Sequence, residues 1–266
     1  MIFNKTAIIV SQCCALLFCA LPAFADSASD AEALFEQADK ENADGSYSDA
    51  ENHYKQGLKT AVSGLGAMSS LAGKLARQLG DFYVKRGRYA DAEHYYQRSL
   101  IVTSNYSEAL ADGEGDFRNV RGFLTDAIQN PEHLPASIEV ANTLSSLAEL
   151  YRRTNRPTDC ERLLRRVIKI FDGANMTSSQ YYTADAKNAL EQSELNLAQV
   201  LASQGKTTEA ENIFKTYVDR IRKRYGNSPK LADALNNLAA FYKSQDRSSD
   251  ADAASSEAKE ISAQFH

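Results

Sequence analysis

The stretch KRGRYADAEHYYQRSL, Lys85 to Leu100, contains a glycine, then a tyrosine two residues later, an alanine five later and another tyrosine nine later. These residues are Gly87, Tyr89, Ala92 and Tyr96. Their aromatic side chains suit either a ligand site or the packing positions of a helical fold. The two interpretations differ in one respect: packing positions recur along a chain, whereas a single ligand site does not.

The spacing recurs in four other segments. With Gly87 as position 15 of a repeated unit, position 15 of the other units holds a residue suited to a left-handed helix end. Positions 8 and 20 are small and positions 7, 11 and 24 are mostly large, which is typical of two closely packed amphipathic helices joined by a short turn. We therefore expect Tyr89 and Tyr96 to lie between helices. The other position-15 residues are Gly45, Asn155, Gly205 and Asp246.

The repeats predict an all-α solenoid of about five helix hairpins. One long segment between the second and third hairpins, residues 104–134, is predicted to contain an extra helix, because Phe117, Val120, Leu124 and Ile128 follow helical spacing. The predicted hairpins span about 31–60, 70–103, 137–170, 183–222 and 230–262.

The N-terminus has the pattern of a cleaved signal peptide. Lys5 precedes an apolar run of 15 residues, Ala7 to Leu21, which is shorter than a bilayer span. Pro22 ends the run, and Ala23-Phe24-Ala25 matches the small-x-small cleavage pattern. We expect residues 1–25 to be removed, which leaves a periplasmic or secreted domain, 26–266, with no transmembrane span.

The mature chain is acidic and has a single cysteine. It keeps 29 Lys and Arg against 35 Asp and Glu, which argues against nucleic-acid binding. Cys160 alone remains after cleavage, so stability must come from packing rather than from an internal disulfide.

Two segments resemble ligand loops but each lacks a required residue. SQGKTT (203–208) ends like a phosphate-binding loop, yet Val200 stands where that loop needs glycine. KENADGSYSDAE (40–51) resembles a calcium loop, yet its first ligand position is Lys40. The histidines share no metal-ligand spacing, and Cys160 occupies a small packing position. We therefore predict no cofactor, no metal and no enzymatic activity.

A basic cluster spans residues 152–169. One interpretation is a solvated convex face, and the other is a surface for an acidic partner or lipid headgroups. The four cations from position 162 onward avoid the packing positions, so we expect them to point outward. The cluster comprises Arg152, Arg153, Arg156, Arg162, Arg165, Arg166 and Lys169.

The repeat pattern resembles the tetratricopeptide repeat over nearly all of residues 31–260. Spacings near 42 residues and the stretch ADALNNLA (232–239) are similar to the long-helix version of kinesin light chains and related bacterial repeat proteins. The resemblance implies a right-handed superhelix whose first helices line a concave groove. It also implies that Asn196 and Asn237, both at position 6, hold a bound peptide. The implied groove residues are Lys74, Arg77, Asp81, Lys85, Ser145, Glu149, Arg152, Arg153, Gln192, Asn196, Gln199, Asn236, Asn237 and Lys243.

Three functional hypotheses follow. The first is a non-catalytic module that binds a protein or peptide segment in the groove. The second is a structural scaffold of an envelope assembly, or a homo-oligomer formed through the C-terminal hairpin, whose second helix is rich in alanine and serine. The third, an enzyme, has no supporting set of residues.

Overall fold

The computed structural model describes residues 26–104, 120–173 and 184–265, and every regular element in those ranges is helical. The chain divides into two compact units, Met1–Leu124 and Thr125–His266. The predicted fold class, a set of helix hairpins, is confirmed. The signal peptide prediction falls on residues outside the described ranges.

Unit 1 contains two hairpins. The first is α1 (26–43) with α2 (Tyr47–Leu65), and the second is α3 (Ser70–Lys85) with α4 (Tyr89–Thr103). Helix α3 packs against both α2 and α4. A further helix, α5 (Val120–Gln129), runs across the division between the units.

Unit 2 contains three hairpins. A short 3-10 turn, Pro131–His133, precedes them and packs on the second helix of the first hairpin. Successive hairpins pack on one another, since α7 contacts α8 and α9 contacts α10. The helices are α6 (Ile138–Arg153), α7 (Pro157–Gly173), α8 (Ala184–Ser203), α9 (Thr207–Tyr225), α10 (Pro229–Ser244) and α11 (Ser248–Ser262).

The turn inside each hairpin depends on one left-handed residue. Position 15 has a φ of +84° at Gly45, +71° at Gly87 and +74° at Gly205. Asn155 and Asp246 both adopt +57°, and they are the two residues other than glycine with positive φ in the described ranges. The sequence prediction for these five turns is therefore confirmed.

Tyr89 and Tyr96 have different environments. Tyr96 is 2% exposed, and its ring lies so close to Gly80 that a Cβ on that glycine would be 2.5 Å from a ring carbon. Its hydroxyl donates a hydrogen bond to Asp81 at 2.7 Å. Tyr89 is only half-buried, because position 17 is the first residue of α4 and no earlier turn of that helix covers it. Packing is confirmed for Tyr96 and only partly for Tyr89.

The residue after each turn residue, position 16, is basic in four hairpins and closes the turn. Its backbone N–H donates to the carbonyl of position 11 over 2.8–3.0 Å, which satisfies one of the free carbonyls at the helix end. Three of the guanidinium groups also lie 3.8–4.5 Å from the ring centroid of the position-11 tyrosine. The position-16 residues are Arg88, Arg156, Lys206 and Arg247.

Three of these cations also join consecutive hairpins within a unit. Each reaches the glutamate at position 21 of the preceding hairpin, and we call these contacts the inter-hairpin ion pairs. The small and large packing positions of the repeat do not include these charged residues. The ion pairs nevertheless recur at the same repeat positions, so they fix how one hairpin packs on the next. They are Glu51 with Arg88, Glu161 with Lys206 and Glu211 with Arg247, each 2.6 Å between the charged atoms.

The inter-hairpin ion pairs change the acidity of their glutamates. Burial by itself would raise the pKa of the Glu51 and Glu161 carboxyls, but their basic neighbours lower it below the ordinary value. Hydrogen bonds from Lys215 and then Arg247 lower the pKa of Glu211 to about 2. All three carboxylates are therefore charged at neutral pH.

Candidate functional site

The predicted groove residues share one face of their helices. Positions 2, 5, 6, 9, 12 and 13 lie within about 120° of one another around a helix axis, at about 100° per residue. The packing positions occupy the opposite side. Each of the predicted residues on α3, α6, α8 and α10 is exposed or half-exposed, and none is buried. We call this side the first-helix face, and we describe it separately in the two units.

In unit 1 the first-helix face is charged. On α3, Lys74 is exposed and lies 3.4 Å from Glu32, and Arg77 pairs with Asp81 at 3.0 Å. Asp81 also accepts the Tyr96 hydroxyl, so that carboxylate already supports the hairpin. Lys85 is exposed at the end of α3. The two lysines are therefore more exposed to a ligand than the Arg77–Asp81 pair is.

In unit 2 the charged residues of the face on α6 pair with one another. Arg152 and Arg153 both donate to Glu149, each over 2.7 Å. Burial opposes ionisation of the Glu149 carboxyl, but the hydrogen bonds from the two guanidinium groups outweigh it and lower its pKa. Glu149 is therefore charged and pairs with two arginines of its own helix.

The face on α8 and α10 carries carboxamides. Asn196 and Asn237, both at position 6, are half-exposed, and Gln199 and Asn236 are exposed. The Asn196 side-chain oxygen accepts a hydrogen bond from Gln192 at 3.0 Å. The structure thus places these four predicted residues on one side of two first helices in the same unit. Lys243 is exposed on α10, seven residues after Asn236.

Buried carboxylates on α8 form a polar cluster that sequence analysis missed. Glu191 and Glu194 have side chains only 4% and 2% exposed. Glu194 pairs with Arg220 at 2.8 Å, and Glu191 pairs with Arg224 and Lys230 at 2.6 Å each. Burial raises the pKa of Glu194 despite its arginine partner. The cluster ties α8 to the end of α9 and the start of α10, so its role is structural.

Glu191 and Glu194 occupy positions 1 and 4 of the repeat. The repeat pattern specifies only the positions of small and large packing residues, so it did not predict buried acids at these two positions. A clue was available: three cations, Arg220, Arg224 and Lys230, cluster near the α9–α10 turn and need counter-charges.

The predicted basic cluster is paired throughout, and one of its members is buried. Arg166 was expected to point outward, and that prediction is wrong because its side chain is 8% exposed. It donates to the Leu134 carbonyl and lies 3.4 Å from Glu132, which also pairs with Lys169 at 2.6 Å. These contacts hold the segment before α6 against α7.

The remaining cations of the cluster pair with four carboxylates. Asp159 and Glu161 lie within residues 152–169, whereas Glu149 and Glu209 lie outside that range, so a charge sum over residues 152–169 leaves them out. The pairs are Arg152 and Arg153 with Glu149, Arg156 and Arg162 with Asp159, and Arg165 with Glu161 and Glu209.

The two loop resemblances and Cys160 are accounted for by packing. Gly45 and Gly205 supply the left-handed residue of a hairpin turn. Cys160 is fully buried, and burial raises the pKa of its thiol to about 12. Within the described ranges no three His, Cys, Asp or Glu side chains converge as metal ligands would, and no helix is both long and apolar enough to cross a membrane.

Residues 75–105, 141–166 and 189–264 match family models of the tetratricopeptide repeat. The chain carries tetratricopeptide repeats. The matched segments cover α3 with α4, most of α6 with α7, and α8 through α11. No curated protein sequence matches the chain.

Several solved structures have a similar fold. A Podosopora anserina protein, described as a kinesin light chain with nearly identical TPR-like repeats, has a TM-score of 0.66 at 14% identity over 90% of this chain and 98% of its own. BtubC (BKLC) from P. vanneervenii has a TM-score of 0.64 at 17% identity over 92% of each chain. MamA has a TM-score of 0.52 at 14% identity over 86% of this chain and 95% of its own. Identities this low show the fold alone.

Proposed function

We propose that this repeat protein is a non-catalytic interaction module that acts outside the cytoplasm and binds a protein or peptide segment on its first-helix face. The observation that carries the proposal is the pair Asn196 and Asn237. They occupy the same repeat position on α8 and α10, both are half-exposed, and a carboxamide offers both a donor and an acceptor to a peptide main chain. The buried, protonated thiol of Cys160 supports the absence of covalent catalysis.

A double substitution tests this proposal. Crosslinking pull-down of the 26–266 chain from its native envelope or medium first supplies the partner. We expect Asn196→Ala with Asn237→Ala to weaken that partner's binding at least about tenfold, which corresponds to about 1.4 kcal/mol. The circular dichroism melt should stay nearly unchanged, because both side chains lie on the surface.

Asn212→Ala is the matched control. Asn212 is an exposed asparagine on α9, the second helix of its hairpin, and so lies off the first-helix face. It should bind the partner like the parent chain. Unaltered affinity in the double variant would rule out this face as the binding site.

Export is supported by the leader pattern of residues 1–25 and has a separate test. N-terminal sequencing of the chain recovered from the periplasm or medium should begin at Asp26. A chain that keeps Met1 and stays in the cytoplasm would contradict export, and the binding proposal would still stand.

Self-association through the C-terminal hairpin is the second hypothesis, and one observation favours it. Phe265 is 51% exposed just after α11. The same hairpin borders a cleft of about 410 Å³, with Leu235 and Leu238 among its lining residues, next to the small residues Ala253 and Ala254 of α11. Light scattering should then show a dimer that Phe265→Ser converts to monomer. A parent chain that is already monomeric excludes this hypothesis.

A further inference from the structure

The cleft between α9 and α11 lies where the last hairpin lacks a large side chain. Its volume is about 410 Å³, and Ala254, at position 23 of the repeat, lies on its wall. Position 23 is larger in every other hairpin, and in the third hairpin its leucine is fully buried. The cleft is therefore space that a side chain fills elsewhere in the array. The position-23 residues of the first four hairpins are His53, Tyr95, Leu163 and Ile213.

The second hairpin shows what the absent side chain would contact. There Tyr95 stacks on the position-11 ring of Tyr83, with the ring centroids 5.5 Å apart and the planes 16° apart. The last hairpin keeps the other neighbours of the position-11 ring, a phenylalanine at position 10 and an arginine at position 16. It lacks the stacked ring, because Ala254 stands in place of Tyr95. The position-11 ring of the last hairpin, Tyr242, lines the cleft instead.

The cleft suits an uncharged, apolar side chain. Val218, Leu235 and Leu238 are among its lining residues. The charged residues around it already have partners of opposite sign, so a further charge placed there would lose hydration without gaining a counter-charge. The charged pairs are Lys215 with Glu211, Asp219 and Glu257 with Arg222, and Asp250 with Arg247.

Phe265 is an apolar side chain without a covering partner. Two large apolar side chains are exposed in the described ranges, and one of them, Tyr47, is covered by the Arg86 guanidinium, 3.4 Å from its ring centroid. Phe265, the other, is 51% exposed. It does not reach the cleft of its own copy, because Ala254 and the end of α11 at Ser262 are about 12 Å apart along the helix. The Phe265 N–H donates to the Ser262 carbonyl, which keeps the residue beyond that helix end.

We infer that two copies of this chain exchange Phe265, and that each ring enters the cleft of the other copy and packs on Tyr242. This inference rests on the self-association hypothesis and adds the residues that make the contact. Phe265 and the cleft belong to the same hairpin, so one two-fold axis forms both contacts.

The area involved predicts a weak dimer. A phenylalanine buries about 150–250 Å², so two rings and the cleft walls that face them account for about 600–1,000 Å². Stable interfaces bury about 1,200 Å² or more. The dimer should therefore form reversibly and depend on protein concentration.

Photo-crosslinking tests the contact in the full chain, expressed with residues 1–25. p-Benzoylphenylalanine is placed at position 265, and isotope-labelled and unlabelled chains are mixed and irradiated at a concentration where light scattering shows the dimer. We expect crosslinks that join a labelled to an unlabelled chain, from position 265 to cleft residues such as Leu235 and Leu238.

Filling the cleft from within should prevent the exchange and leave Phe265 untouched. Ala254→Leu gives the last hairpin the side chain that Leu163 supplies in the third. We expect it to raise the dimer dissociation constant at least about tenfold, because a phenylalanine ring loses its buried site. Its melting temperature should stay the same or rise, which separates this effect from unfolding. Ala254→Ser keeps the cleft open and is the matched control, which should dimerise like the parent chain.

The outcomes separate this inference from the self-association hypothesis. If a dimer forms but its crosslinks fall outside the cleft, or if Ala254→Leu dimerises like the parent, the exchange of Phe265 is wrong and self-association stands. Crosslinks to the cleft that join only atoms of one copy also overturn the exchange. A parent chain that stays monomeric at every concentration contradicts both.

Discussion

At the scale of single residues, the hairpin fold depends on where a side chain is absent. Gly80 lacks the Cβ that would meet the Tyr96 ring, so the ring can lie close against α3 while its hydroxyl reaches Asp81. Small position 8 and large position 24 of the repeat therefore pack against each other in one contact. Changing either residue should destabilise the hairpin for a different physical reason.

Replacing Tyr96 with alanine removes a fully buried ring. We expect the free energy of unfolding to fall by about 3–5 kcal/mol, as for other buried aromatic residues. Chemical denaturation monitored by circular dichroism measures it. Tyr96→Phe keeps the ring and loses the hydrogen bond to Asp81, so it should cost about 1–3 kcal/mol. A loss below about 1 kcal/mol for Tyr96→Ala would contradict the packing role.

Adding one methyl group at Gly80 should overpack the same contact. Gly80→Ala places a carbon 2.5 Å from the Tyr96 ring, and we expect it to cost about 1–3 kcal/mol. Gly122→Ala is the matched control, because Gly122 is also helical and a Cβ there meets nothing within 4 Å. Alanine is the better helix former, so the control should be neutral or stabilising. Equal costs for the two variants would show that helix propensity and backbone effects, not the Tyr96 contact, decide the result.

At the scale of helices and hairpins, stacking is set by charge as well as by apolar packing. Each inter-hairpin ion pair links the start of a second helix to the second helix of the hairpin before it. Glu211 is the clearest case, since its pKa is about 2 and it interacts with both Arg247 and Lys215.

The low pKa of Glu211 predicts how stability depends on pH. Its folded pKa lies below the ordinary value of about 4.3, so its contribution is complete at neutral pH and is lost as the pH falls from about 4.5 towards about 2. We therefore expect Glu211→Gln to lower the melting temperature at pH 7 and to converge with the parent chain near pH 2. Glu260→Gln changes an exposed glutamate of α11 and should match the parent throughout. Parallel curves for the parent chain and Glu211→Gln would contradict the prediction.

The sequence predicted the hairpins well because their signals are local. Gly87, Asn155 and Asp246 each define a turn through their own backbone preference, and Ala148 or Tyr151 need only their helical spacing. What it could not predict depends on partners far along the chain. Arg166 is buried because the Leu134 carbonyl meets it, and Glu191 is buried because cations near the next turn surround it. The candidate face was predicted residue by residue, but which of its charges are already paired required the three-dimensional structure.

At the scale of the whole molecule, the single thiol of residues 26–266 reports on the opening of its hairpin. Cys160 is inaccessible in the folded hairpin, and its pKa of about 12 leaves it protonated at neutral pH. We expect its reaction with Ellman's reagent in the 26–266 chain to require unfolding, and its rate to rise with denaturant in parallel with the loss of helix. Ser256→Cys in a Cys160→Ser chain places a thiol on the exposed side of α11 and should react at once. Rapid labelling of Cys160 in the native chain would show that its hairpin opens locally.

Arg247, the residue after the last hairpin turn, stabilises both its own hairpin and the interface with the preceding hairpin. In a linear array of repeats, stability is the sum of a term for each repeat and a term for each interface between neighbours. Arg247 closes the turn of its own hairpin through Tyr242 and holds the preceding hairpin through Glu211. Its loss lowers both terms together, so a repeat that melts loosens the repeat before it. Lys206 repeats this arrangement one hairpin earlier with Glu161, and unit 2 therefore tends to melt as a block and not as three independent hairpins.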